Sequence, residues 1–98
     1  MSDPSGSPTL LTRTVLVPNR RGLHARAAAK FVTLAERYGA SVEVLRDGQS
    51  VSARSIMGLM MLGAGQGSQI ELQADGWDAK EAIEALAALV EAGFHEQD

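Results

Sequence analysis

A two-layer α+β domain, one four-stranded sheet with three helices stacked on one face, is what this 98-residue sequence predicts. Three observations lead to it. Strand-like and helix-like stretches follow one another in the order β-α-β-β-α-β-α. Asp47-Gly48 is a two-residue hairpin signal, which forces the strands on either side of it to run antiparallel. Three amphipathic helices need somewhere to bury their apolar faces, and one face of a single sheet accommodates all of them.

Each element has its own reason. "TLLTRTVLV" (9–17) is β-branched and apolar, a first strand stopped by Pro18. "NRRG" is a loop. Residues 25–38 are good helix formers, with Ala28, Phe31, Val32 and Ala35 on one apolar face and Gly39 placed to end the helix in a left-handed C′ conformation. "SVEVLRDGQSVSA" (41–53) alternates, with Val42 and Val44 on one face and Val51 on the return strand. "SIMGLMML" (55–62) is a short helix with Ser55 as its N-cap. In "SQIELQA" (68–74), Ile70, Leu72 and Ala74 alternate with polar residues as in a half-buried strand. The last helix has Asp78 as cap, Glu81 at the N3 position of a capping box, a buried stripe of Ala82, Ile83, Leu86, Leu89 and Val90, and Gly93 as its stop. Residues 1–8 are expected to be a mobile tail, 9–94 the single domain, and 95–98 a short acidic tail with His95 in solvent. No internal repeat or second domain is expected within these residues.

Composition narrows the function. With 45% hydrophobic and only 4% aromatic residues, the core must be aliphatic. A net charge of −3 disfavours nucleic acid as a partner, although Arg20, Arg21 and Arg26 form a local basic patch. The absence of cysteine excludes disulfides and thiol chemistry and suits a cytoplasmic protein. No apolar run approaches the roughly 20 residues that span a bilayer, and the N-terminus is not built like a secretory signal. No metal is expected, because no second histidine is near enough in sequence to pair with the first.

The stretch "GLHARAAA" (22–29) is the candidate site. If Ala25 opens the helix, His24 stands at or beside the N-cap, where the unpaired amides and the positive end of the helix form an anion site. That field disfavours the imidazolium form, so the ring is expected to be neutral and nucleophilic. A phosphoryl group on it could be received by the amides of Ala25 and Arg26 and by the Arg26 guanidinium. Gly22 should permit the sharp approach that exposes the ring, and the small alanines should leave a macromolecular donor room. "GAGQG" (63–67) lacks the spacing and the lysine of a nucleotide loop and reads as a turn. The Asp and Glu residues read as exposed faces and caps.

"GLHARAAA" together with "SIMGLMML" resembles HPr, the histidine-containing phosphocarrier family of the bacterial phosphotransferase system, over about Leu10 to Phe94. "NRRGLHAR", "GSQIELQADG" and the "GF" ending look most like its nitrogen-related branch. The resemblance implies an open-faced β-sandwich with a four-stranded antiparallel sheet. It also implies a monomeric carrier without cofactor, itself no independent catalyst. Enzyme I would phosphorylate His24 on Nδ1, Arg26 would steady the group, and an EIIA-type protein would receive it. Ser55 falls where some members are phosphorylated by the HPr kinase/phosphorylase. Ile56 and Met57 fall on the partner-binding surface with the first turn of helix one; Ala25, Ala29 and Met60 belong to the same expected docking surface, while Met60 and Met61 suit core packing as well as a soft apolar patch. One departure is Ala27, where the family usually has proline; the helix should survive it and gain an amide donor, with transfer retained. Arg21 also differs from the small polar residue common in the sugar branch.

Two other functions are compatible with the layout: a regulatory binding protein controlled through Ser55 alone, and a small α+β ligand-sensing domain. The first would have no need of His24 at a helix mouth. The second would need a concave pocket, for which an alanine-rich core leaves little volume. A hydrolase with His24 as base lacks a nucleophile or a carboxylate at helical spacing.

Overall fold

The computed structural model describes residues 10–96, so the tail expected over 1–8 lies outside the described residues. Seven elements follow in the expected order: β1 (Leu11–Leu16), α1 (Ala25–Ala35), β2 (Ser41–Arg46), β3 (Gln49–Ser52), α2 (Ile56–Met61), β4 (Gln69–Asp75) and α3 (Ala79–Glu91). A 3₁₀ turn, Gly93–His95, comes after α3. The sheet is antiparallel throughout, in the order β1-β4-β2-β3, with the three helices on one face. No helix among the described residues is long and apolar enough to cross a membrane.

Alternation decides which sheet face is buried. Val15, Val42, Val44, Ile70, Leu72 and Ala74 point towards the helices and are almost fully buried. Val44 sits opposite Val51 on one side and Leu72 on the other, at the centre of the sheet. The helices fill the second layer with Phe31, Leu59, Leu86, Val90 and Phe94, all without solvent exposure. Asp47 (φ 51) and Gly48 (φ 80) are both left-handed, as a type I′ hairpin turn requires.

Two expectations at helix ends are corrected. α1 ends at Ala35, and its last turn tightens through bonds from Arg37 N to Leu34 O and Tyr38 N to Ala35 O. Gly39 does not take the left-handed conformation; a Cβ there would instead come within 2.9 Å of Trp77 Nε1. The expected capping box at α3 is also absent, because Asp78 makes no side-chain cap bond. Its carboxylate reaches back to accept Gly39 N at 2.9 Å and Ala40 N at 2.8 Å, tying the start of α3 to the chain leaving α1. The pull of two converging amides, that of Ala40 buried, outweighs the local cap. Asp78→Ala should therefore lower unfolding stability by about 2 to 3 kcal/mol, because it orphans these donors. Urea denaturation measures this, and Asp78→Asn, which keeps one acceptor, should lose less.

Candidate functional site

His24 is the N-cap of α1, with extended backbone (φ −74, ψ 176), and its carbonyl accepts the first helical bond, from Ala28 N at 2.8 Å. No side chain caps the helix and no acidic residue lies in its first turn, so the leading amides keep their donor capacity. Ala25 and Arg26 are exposed, and the Arg26 guanidinium is free of partners among the described residues. Ala27 and Ala28 are fully buried. These two alanines are packing groups, and only Ala25 and the half-buried Ala29 border the open side of the helix.

The approach to His24 depends on Gly22, which is left-handed at φ +61. Its α-carbon lies against the turn that follows α2, and Leu23 N donates to Ala64 O at 2.9 Å. The "GAGQG" segment is thus the turn that the sequence indicates, and it buttresses the loop before α1. α2 packs beside α1. Ser55 caps it as expected, accepting Gly58 N at 2.9 Å. Leu59 and Leu62 enter the core, whereas Ile56 and Met60 are 40% exposed, Met57 69% and Met61 72%. Four large apolar side chains on one short helix are more surface than isolated exposure explains.

The ring of His24 is less open than the sequence suggests. Its side chain is 14% exposed, because Glu96, beyond α3, reaches back to it and its carboxylate meets Nε2. Asn19, 7% exposed, donates through Nδ2 to Glu96 Oε1 at 3.0 Å and to Gly22 O at 2.9 Å. The segment leading to Glu96 is anchored by the buried Phe94, whose carbonyl accepts Lys30 Nζ at 2.7 Å, while His95 is exposed as expected. Glu96 is therefore not one of the exposed carboxylates that the sequence implies. Nothing local marks Glu96, which meets His24 and Asn19 across 72 and 77 residues of chain.

The hydrogen bond to His24 holds the Glu96 carboxyl below its ordinary value of 4.5; the Asn19 bond and the charges of His24 and Arg21 add to this, against desolvation. A carboxyl depressed on folding stabilises the fold above its unfolded pKa, and that contribution is lost as pH falls through the folded one. Docking of the chain end should therefore be unchanged from pH 7 down to about 4.5 and weaken below that. A pH titration of the Asn19 side-chain amide signals by NMR follows it.

A histidine at the uncapped mouth of a helix, an aliphatic one-sided sandwich and a neighbouring exposed apolar helix make up an open protein surface rather than an enclosed catalytic pocket. A depression of about 670 Å³ on the solvent face of the sheet, over Thr14, Leu45 and Glu71, is open to water. It lacks the enclosure of a small-ligand sensor.

Comparison with known proteins gives the family. Residues 11–92 match the family model "PTS HPr component phosphorylation site". The phosphocarrier protein HPr of Cupriavidus necator is 47% identical, over 89% of this chain and 98% of its own. The phosphocarrier protein NPr of Shewanella violacea is 43% identical, over 90% and 97%. The crystal structure of HPr from Thermoanaerobacter tengcongensis superposes with a TM-score of 0.85 at 43% identity, covering 90% of this chain and 99% of that one. The chain belongs to the HPr family of phosphocarriers of the phosphotransferase system. It is a carrier that passes a phosphoryl group through a histidine, not a self-contained enzyme.

Proposed function

We propose that His24 is the acceptor histidine, charged by enzyme I and discharged to an EIIA-type protein in a nitrogen-type regulatory relay in the cytoplasm. The observation that supports this most is the imidazole at the residue that opens α1, beside the unpartnered Arg26 guanidinium. In this reading the Ala25 and Arg26 amides and the Arg26 side chain receive the phosphoryl oxygens, with the charge stabilisation that phosphoryl transfer mainly needs. Ala27 supplies one more first-turn amide than proline would. Ala25, Ala29, Ile56, Met57 and Met60 meet both partners, and their adaptable side chains suit a protein that binds donor and acceptor in turn. Phosphate on Ser55, beside that patch, would repel an acidic partner, which makes Ser55 a regulatory position for the HPr kinase/phosphorylase.

The branch assignment rests on "NRRGLHAR", "GSQIELQADG" and the "GF" ending. Its test is a chase: protein charged with enzyme I and phosphoenolpyruvate is mixed with a nitrogen-regulatory EIIA domain or with a sugar-specific one. Faster discharge to the nitrogen-type acceptor is expected. Equal or reversed preference would refute the branch assignment while leaving His24 as acceptor.

A further inference from the structure

We propose that Glu96 is a positioning residue for His24: its carboxylate accepts the Nε2–H of the imidazole and leaves the Nδ1 lone pair to take the phosphoryl group. This rests on the reading of His24 as acceptor.

A neutral imidazole has one N–H and one lone pair, and an ionised carboxylate can only accept. The nitrogen that faces Glu96 is Nε2. The proton therefore resides on Nε2, and the nucleophilic electron pair resides on Nδ1, which has no hydrogen-bond partner among the described residues. A carboxylate that fixes a tautomer from the far side of the ring is a general device for aiming a histidine.

Glu96 is held for this task. Asn19 is buried, and both of its amide bonds point inward, one to Gly22 O and one to Glu96 Oε1. Its own Oδ1 is buried without a hydrogen-bond partner. An amide that leaves its oxygen unsatisfied while both donated bonds are made is set by those two partners. Phe94, buried two residues earlier, anchors the same strand of chain, and Lys30 clamps its carbonyl. The contact is thus supported on both sides.

The transfer step balances with these groups. The Nδ1 lone pair forms the new N–P bond as the bond from phosphorus to the donor's leaving atom breaks, and the donor keeps that electron pair. The ring becomes cationic and retains its proton on Nε2, where the Glu96 carboxylate stands opposite the new charge. Delivery to the acceptor reverses each change.

The test compares wild type with Glu96→Ala, Glu96→Gln and His24→Ala. Two things are measured: the rate of charging by enzyme I and phosphoenolpyruvate, and the proton position on the ring by ¹⁵N-resolved NMR in mildly alkaline buffer. Wild type should place the ring proton on Nε2 and show that N–H protected from exchange. Glu96→Ala should lose the protection, raise the Nδ1–H form and charge about tenfold more slowly. Glu96→Gln retains an acceptor oxygen, so it should keep the tautomer yet charge more slowly than wild type, for want of the negative charge. Wild-type ring signals and charging rate in Glu96→Ala would overturn the role of Glu96 alone. Undiminished phosphate incorporation by His24→Ala would instead overturn the acceptor assignment on which it rests.

Discussion

Gly22→Ala is expected to cost about 3 kcal/mol or more of stability and to slow phosphoryl uptake with it. The backbone at this position is left-handed, at φ +61, where a side chain is strained in any surroundings. The surroundings make it worse. An added Cβ would lie 2.2 Å from Ala64 O and 2.7 Å from Gly65 Cα. Both obstacles are backbone, so no rotamer change relieves them, and the loop must move away from the turn after α2. That movement pulls on the Leu23 N to Ala64 O bond and on the Asn19 to Gly22 bond, which together set the direction in which the chain enters α1. His24 is two residues on. Urea unfolding and the initial rate of charging should therefore fall together. A variant within about 1 kcal/mol of wild type that charges normally would show that the loop has slack which this packing denies.

Phe94→Ala should destabilise the fold by about 3 to 5 kcal/mol, the usual cost of emptying a phenylalanine site in a core. Phe94 has no solvent exposure although it lies near the chain end, and it adopts φ 57, a conformation that disfavours a side chain. Burial of the ring against α1 and α3 offsets that strain. Without the ring the Gly93–His95 turn has no anchor, and Glu96 leaves His24. The variant should thus show a lower thermal midpoint together with a more exposed imidazole, read from solvent exchange at the His24 ring. Phe94→Leu, which fills more of the site, should fall between the two. Loss of stability with the Glu96–His24 contact intact would separate the anchor from the site.

The contrast between local and distant signals explains what could be read from the sequence. His24 at the mouth of a helix, Ser55 as a cap, Asp47-Gly48 as a hairpin and the stripe through Ile83, Leu86 and Val90 are all encoded within a few residues of themselves. Periodicity, capping chemistry and turn preference suffice for them. Asp78, Asn19 and Glu96 are different. The Asp78 and Glu96 side chains bond across 38 to 77 positions, and Asn19 adds the bond to Glu96 to its local one with Gly22, so no window of sequence contains these distant partners. Asp78 illustrates the failure most clearly: it has the right residue type at the right place for a cap, yet the amides of Gly39 and Ala40 on another segment bind it instead. Gly39 misleads in the same way, since it lies beside the exposed Trp77 indole and does not form a left-handed helix stop. The exposed His24 ring fails as an expectation because the chain end covers it. The order β1-β4-β2-β3 likewise arises from pairings that alternation within single strands does not specify.

The most direct measurement is the chemical character of the phosphate taken up from phosphoenolpyruvate through enzyme I by the wild-type protein and by His24→Ala. A phosphoramidate on the imidazole is labile to acid and stable to alkali, and it should appear in wild type and be absent from His24→Ala. Phosphate that survives acid, or that is incorporated equally without His24, would contradict the account.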